Sequence, residues 1–181
     1  MGPLPDLGRP IRIATPCCGL DAGDDFYICE IPYEICNCYD IIGGYRATMA
    51  KLVERRTGKK PNLHMGKTEG NILNVPLDAL DSGHVDLLKG GPPCPPWSKQ
   101  GNKAGQGDKR AWVFEKVLEW LIYFVAMRKL KAVCLENVLG VLVAWGGKEA
   151  FYHKVLRILK TLVPELNWRI DAPPSDLIFL V

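Results

Sequence analysis

The feature that most constrains this chain is a hydrophobic period that switches back and forth along its length. From Trp112 to Arg128, the residues Val113, Val117, Trp120, Leu121 and Phe124 recur at the helical period of about 3.6 and form one apolar face. Lys148 to Leu162 does the same with Phe151, Val155, Ile158, Leu159 and Leu162. A third helix is expected over Gly43–Arg56, ended by Thr57-Gly58. Between these helices lie short apolar runs that read as strands: Ile11–Thr15, Tyr33–Tyr39, a weak Asn62–Leu63, Val85–Lys89 and Lys131–Leu135. Trp168–Ile170 and Leu177–Val181 are two further extended segments. Strands alternating with helices, without internal repeats, predict an open α/β sheet with helices on both faces.

In such sheets ligands bind outside the carboxyl ends of the strands, near the point where strand order reverses. Three segments follow predicted strands and so fall on that rim: Pro16–Gly23, Gly91–Ser98 and Glu136–Gly140. Residues 1–10, with three prolines, read as a lead-in loop, and 11–181 as one domain.

Bulk properties narrow the class without naming a function. Apolar residues at 48% and charged residues at 24% set aside disorder and collagen-like structure. The longest apolar stretch, near Leu118–Met127, is interrupted by Glu119 and is too short to cross a bilayer, so no membrane partner is expected. The amino terminus has no basic segment leading into an apolar one. Together with seven cysteines, an odd count, this predicts an intracellular, reducing location and free thiols. A net charge of +3 permits a nucleic-acid partner but does not argue for one. Cys36-x-Cys38 and Cys17-Cys18 match no zinc-finger spacing, so no metal is expected; small buried thiols beside strands are the simpler reading.

Cys94 follows a strand and two glycines and sits between pairs of prolines. Prolines fix their own φ and restrict the residue before them, so this loop is stiff enough to hold a thiolate against a substrate atom. Lys99, Lys103, Lys109 and Arg110 lie downstream, as sources of positive potential or phosphate contacts. By itself the segment is equally a proline-rich turn with an incidental thiol. Glu136-Asn137 ends the next strand, which puts an ionisable carboxyl on the same rim. Partial burial raises a carboxyl pKa and lets it donate a proton. A thiol and a carboxyl at adjacent strand ends suit covalent attack on an electron-poor ring with protonation of that ring.

Asp86-Leu-Leu-Lys-Gly-Gly-Pro-Pro-Cys94-Pro-Pro-Trp-Ser98 resembles the nucleophile motif of the cytosine-C5 DNA methyltransferases. Leu135-Glu136-Asn137-Val138 resembles the family's Glu-Asn-Val motif at the expected separation, and Lys109-Arg110-Ala-Trp-Val-Phe114 resembles the start of the intervening helix. The resemblance implies a Rossmann-like sheet that uses S-adenosylmethionine. It implies that Cys94 adds to C6 of a cytosine in DNA while Glu136 binds and protonates N3, with the base flipped out of the duplex. It implies that Asn137 steadies the Cys94 loop and that Ser98 contacts the substrate backbone.

The cofactor segments match less closely. The family's Phe-x-Gly-x-Gly-Gly turn falls on Ala14 to Gly19, with only Gly19 retained; Gly19-Leu20-Asp21-Ala22 resembles a reduced form of it. Asp40 is the nearest acid to the ribose-binding position, two residues late, and reads equally as a strand-end surface residue. Gly70-Asn71-Ile72 resembles Gly-Asp-Ile, with Asn71 still able to hydrogen-bond an adenine, though it is also an ordinary turn former. Pro92 completes the cofactor contacts that the resemblance implies.

The family's Gln-x-Arg-x-Arg motif is not matched by Asn167-Trp-Arg169-Ile-Asp171, and the target-recognition region is expected to lie outside this sequence, which then resembles the amino-terminal part of a full enzyme. A complementary subunit is one way to supply it, and RNA remains an alternative substrate. Two other readings stay open at this point: a non-catalytic relative that binds DNA, cofactor or a partner, and an unrelated α/β protein with a redox or metal-binding thiol.

Overall fold

A computed structural model of the chain describes residues 8–21, 23–80, 83–98, 105–127, 130–144, 149–162, 164, 170–171 and 177–180. Lys99, Lys103, Ala22 and Asn167 to Arg169 lie outside the described residues.

The strands are β1 (Ile11–Pro16), β2 (Tyr33–Asp40), β3 (Leu63–Met65), β4 (Leu87–Gly90), β5 (Ala132–Val138), β6 (Ile170–Asp171) and β7 (Leu177–Leu180). The helices are α1 (Asp24–Ile28), α2 (Arg46–Thr57), α3 (Ala111–Ala126) and α4 (Phe151–Leu162). One sheet holds all seven strands in the order β3-β2-β1-β4-β5-β7-β6. The pairings β1–β2, β1–β4, β2–β3 and β4–β5 are parallel, whereas β7 runs antiparallel to β5 and β6 antiparallel to β7. This is an open, mostly parallel α/β sheet of Rossmann-like architecture. The chain runs outward from β1 to β3, crosses back, and resumes with β4 on the other side of β1. The crevice at the carboxyl ends of β1 and β4 is therefore the switch point.

Strands covered on both faces become almost continuously apolar, and β2 is buried at seven of its eight positions. One side of the sheet packs Met49 and Val53 of α2 against Ile13, Ile35 and Cys38. On the other side, Phe114, Val117, Trp120, Leu121 and Phe124 of α3 join Tyr152, Val155 and Leu159 of α4 over Ala14, Leu88, Val133 and Leu135. The helical stripe of α3 falls where the sequence period puts it. The helix expected from Gly43 begins with a 3-10 turn at Gly43–Tyr45 and becomes α-helical at Arg46. It ends at Gly58, whose left-handed φ of 71° lets its N–H reach the Glu54 carbonyl.

β2 contains one irregularity with consequences at the site. Ile13 pairs with Ile35 but Ala14 pairs with Asn37, so Cys36 is an extra residue bulged out of the ladder. A bulge reverses the alternation beyond it. As a result Cys36 packs on the α3 side and Cys38 on the α2 side, although strict alternation would put them together. The two thiols of Cys36-x-Cys38 thus point to opposite faces of the sheet. Among the described residues no group of three or more His, Cys, Asp or Glu side chains is placed to hold a metal ion, and no helix is long and apolar enough to cross a membrane.

At the opposite, amino-terminal edge, Asp86 ties the sheet together. Its carboxylate accepts two hydrogen bonds from Arg9 at 2.7 and 2.8 Å and one from the Arg12 backbone N–H at 3.0 Å. His84 and Lys131 also lie within 3.0 and 3.4 Å of it. Burial acts to raise the Asp86 pKa, but the Arg9 and Arg12 hydrogen bonds outweigh it and hold the carboxyl well below the usual range.

Candidate active site

β4 ends at Gly90, and the chain turns there because no side chain fits. A Cβ at Gly90 would lie 2.3 Å from the Pro16 carbonyl oxygen of β1, and one at Gly91 would lie 2.8 Å from Glu136 Oε2. These two glycines let the ends of β1, β4 and β5 close up around one crevice. Its volume is about 320 Å³, and its walls are Thr15, Cys17, Cys18, Asp21, Lys89, Gly90, Gly91, Cys134 and Glu136. Lys89 and Asp21 form an ion pair at 2.8 Å that bridges β4 and the loop after β1. The Thr15 hydroxyl is buried and has no hydrogen-bond partner among the described residues.

The Cys94 loop is fixed in four ways. The Cys94 carbonyl accepts hydrogen bonds from the N–H groups of Trp97 and Ser98, both at 3.0 Å, which closes a tight turn. Trp97, only 1% exposed, plugs that turn into the core: it stacks on Phe151 with ring centroids 4.9 Å apart and meets Phe114 edge-on at 5.9 Å. A Cβ at Gly140 would lie 1.8 Å from the Trp97 carbonyl oxygen, so the segment after β5 lies flat against the loop only because residue 140 is glycine. Finally, the Asn137 amide, fully buried, donates to the Pro92 carbonyl at 3.0 Å while its own oxygen accepts from the Val138 N–H at 2.9 Å.

Glu136 and Cys94 are both half-buried, and the charge of Glu136 acts on the Cys94 thiol. Burial raises the Glu136 pKa above the ordinary carboxylate value. The Cys94 thiol is raised first by burial and then by the charge of Glu136, with an opposing contribution from a backbone hydrogen bond. In the free protein the pair therefore favours a protonated thiol, and the carboxyl keeps its proton to higher pH than usual. Arg110, one of the cations considered from sequence, is bound to Asp108 at 2.6 Å. Tyr152 of α4 donates to the Leu135 carbonyl at 3.3 Å, holding β5 one residue before Glu136.

The remaining residues singled out from sequence form a second group beside the crevice. Gly19 has a left-handed φ of 54°, and its N–H donates to Asp40 Oδ2 at 2.8 Å. Asp40 Oδ1 accepts from the Ile42 N–H at 2.7 Å, so this 8%-exposed carboxylate organises the backbone at both 19 and 42. Gly70 lies against the Asp40 carbonyl, where a Cβ would come within 1.9 Å. Asn71 caps the following 3-10 turn through the Leu73 N–H at 3.2 Å, and Ile72 is buried. Leu20 is half exposed on the outer side of the turn. None of Gly19, Leu20, Asp40, Asn71, Ile72 or Pro92 lines the crevice itself. Sequence reasoning did not assign Thr15, Lys89 or Cys134 to the site, and Asp21 entered only as part of the Gly19-Leu20-Asp21-Ala22 turn. Lys89 alone carried a signal, as a charge in an apolar strand between Leu88 and Gly90.

The chain is similar in sequence to known proteins. A family model described as C-5 cytosine-specific DNA methylase matches residues 59–163. The type II methyltransferase M.NgoMIV of Neisseria gonorrhoeae is 43% identical over 74 residues, covering 41% of this chain and 22% of that protein. The type II methyltransferase M.AluI of Cellulosimicrobium cellulans is 27% identical over 146 residues, covering 72% of this chain and 26% of that protein. The chain thus spans about a quarter of the length of these curated relatives. Among solved structures, a DNMT2 mutant of Spodoptera frugiperda is similar with a TM-score of 0.47 and 16% identity, over 94% of this chain and 48% of that one.

Proposed function

This chain belongs to the C-5 cytosine-specific DNA methylase family, and we propose that it carries the catalytic half of a DNA (cytosine-5) methyltransferase, with Cys94 as nucleophile and Glu136 as the acid that binds the base. The observation that carries this reading is the coupling of the two groups. Asn137 ties the Cys94 loop to the strand of Glu136, and Glu136 perturbs the Cys94 thiol.

In this mechanism a cytosine is flipped out of the helix, since C5 and C6 cannot be approached within a stacked duplex. The Glu136 carboxyl, whose pKa burial raises, in its protonated form hydrogen-bonds N3 and gives it a proton as the ring takes up electron density. The Cys94 sulfur, as thiolate, bonds to C6, which makes C5 nucleophilic. S-adenosylmethionine, when bound, supplies an electrophilic methyl group to that carbon. A water molecule then takes the C5 proton, the electrons of that bond restore the C5–C6 double bond and expel the Cys94 thiolate, and N3 returns its proton to Glu136.

The residues of the crevice fit that methyl donor. Its volume of about 320 Å³ lies within the usual range of small-molecule sites. Asp21 and Lys89 present one charge of each sign to a zwitterionic methionine end, and the unpartnered Thr15 hydroxyl offers a further polar contact. Gly90 and Gly91 leave backbone exposed for close approach. Gly19, Leu20, Asn71, Ile72 and Pro92 are proposed to meet the rest of the donor, and Asp40, through its remaining lone pairs, a ribose hydroxyl. Ser98 is proposed to contact the substrate backbone. Recognition of a target sequence is assigned to protein outside these 181 residues, such as a complementary subunit.

The elevated Cys94 pKa favours one second reading, a relative that binds DNA or cofactor without turnover. Covalent capture on DNA containing 5-fluorocytosine, with Cys94→Ser as control, separates the two.

A further inference from the structure

Cys18 and Cys38 are both free thiols, yet their sulfurs lie 2.9 Å apart. Neither takes part in the mechanism above. The contact has a structural cause: the bulge at Cys36 turns Cys38 to the α2 side of the sheet, where the turn after β1 brings Cys18. That turn is held in place by the Cys18 N–H bonding the Tyr39 carbonyl at 3.2 Å and by the Gly19 N–H bonding Asp40. Cys38 is fully buried, whereas Cys18 forms part of the crevice wall.

We propose that Cys18 and Cys38 form an oxidisable dithiol, which a hydroperoxide entering through the crevice converts to a disulfide. A disulfide bond is about 2.05 Å long, so the sulfurs need to approach by less than ~1 Å. Cys38 donates its S–H to Cys18, which makes Cys18 the attacking sulfur and Cys38 the resolving one. Cys18 sulfur attacks the peroxide, the O–O bond breaks, and Cys18 becomes a sulfenic acid while the peroxide leaves as alcohol or water. Cys38 sulfur then attacks Cys18 sulfur and expels water. In sum, two thiols lose two protons and two electrons, and one peroxide is reduced. Cys36 is directed at the Ile13 carbonyl at 3.2 Å and Cys29 is exposed on the surface, whereas Cys17 and Cys134 share the crevice wall with Cys18. The product ties the turn carrying Gly19 and Asp21 to β2, fixing one wall of the crevice. The disulfide itself does not depend on the function proposed for the crevice.

The test is a hydrogen-peroxide titration of the full chain, quenched by alkylation and read by peptide mass mapping without reduction. The expected result is a Cys18–Cys38 linkage that forms at least ~10-fold faster than any other cysteine cross-link and disappears on treatment with dithiothreitol. In Cys38→Ser, Cys18 stops at the sulfenic acid and is captured by dimedone. Recovery of Cys18 and Cys38 as alkylated thiols while Cys29 is oxidised overturns the proposal, as does linkage of Cys18 to a different cysteine. A parallel titration adds S-adenosylhomocysteine, which is expected to slow the linkage. Linkage at an unchanged rate counts against the cofactor reading of the crevice and leaves the dithiol assignment supported.

Discussion

The side-chain amide of Asn137 donates to the Pro92 carbonyl oxygen at 3.0 Å, and through that bond the strand bearing Glu136 holds the loop bearing Cys94. Both partners are buried, so removing one leaves the other without water to replace it. Asn137→Ala is expected to cost about 1–3 kcal/mol in unfolding free energy, measured by urea denaturation. Asn137→Asp, which keeps the acceptor to Val138 but loses the donor to Pro92, is expected to cost a similar amount.

Gly91 and Gly140 separate positioning from stability. A methyl at residue 91 meets only the end of the Glu136 side chain, which can swing aside. Gly91→Ala is expected to fold with stability within about 1 kcal/mol of the parent, while moving the carboxyl enough to slow adduct formation by about 100-fold. At residue 140 the methyl meets the Trp97 backbone, which cannot move without the Cys94 turn. Gly140→Ala is expected to lose about 1–3 kcal/mol of stability as well as adduct formation. Paired urea denaturation and single-turnover capture distinguish the two outcomes.

The Cys94 thiol is raised by burial and by the charge of Glu136, so its reactivity should titrate above that of an ordinary thiol. Iodoacetamide labelling of Cys94, followed by peptide mass spectrometry, is expected to have its midpoint above about pH 8.5. Glu136→Gln removes the negative charge, favours the thiolate, and is expected to shift the midpoint to lower pH. A midpoint that does not move contradicts the coupling of the two groups.

Asp86 makes a pH-dependent contribution of opposite sense. Its folded pKa lies below the unfolded value of about 3.9, so the folded state binds fewer protons. The stabilisation is fully present above the unfolded pKa and is lost as pH falls toward the folded one. Stability by thermal or urea denaturation is expected to fall between about pH 5 and pH 3, and less steeply in Asp86→Asn. At neutral pH, Asp86→Ala is expected to cost about 1–3 kcal/mol, since it removes the acceptor of the Arg12 backbone N–H at the buried edge of the sheet.

The alternation of strands and helices was legible because the stripe on α3 and the buried runs of β1, β2 and β4 follow simple periods. The rim positions of Cys94 and Glu136 followed from strand ends, and β4 and β5 are indeed adjacent and parallel. What sequence did not disclose depends on contacts between distant segments. The bulge at Cys36 leaves no mark in the composition of β2, yet it decides that Cys38 meets Cys18 rather than sharing a face with Cys36. The Lys89–Asp21 pair and the inward bonding of Asp40 appear only once β1, β2 and β4 are side by side. The lysines at 99 and 103 lie outside the described residues.

Covalent capture tests the central claim most directly. The full chain, together with the partner that supplies target recognition where one is identified, is incubated with S-adenosylmethionine and DNA containing 5-fluorocytosine, in which fluorine replaces the C5 proton and cannot leave as a cation. The account predicts a denaturation-resistant protein–DNA adduct that maps to the Cys94 peptide, is absent in Cys94→Ser, and forms far more slowly in Glu136→Gln. Cofactor and DNA binding without any adduct, or an adduct that persists in Cys94→Ser, would contradict it.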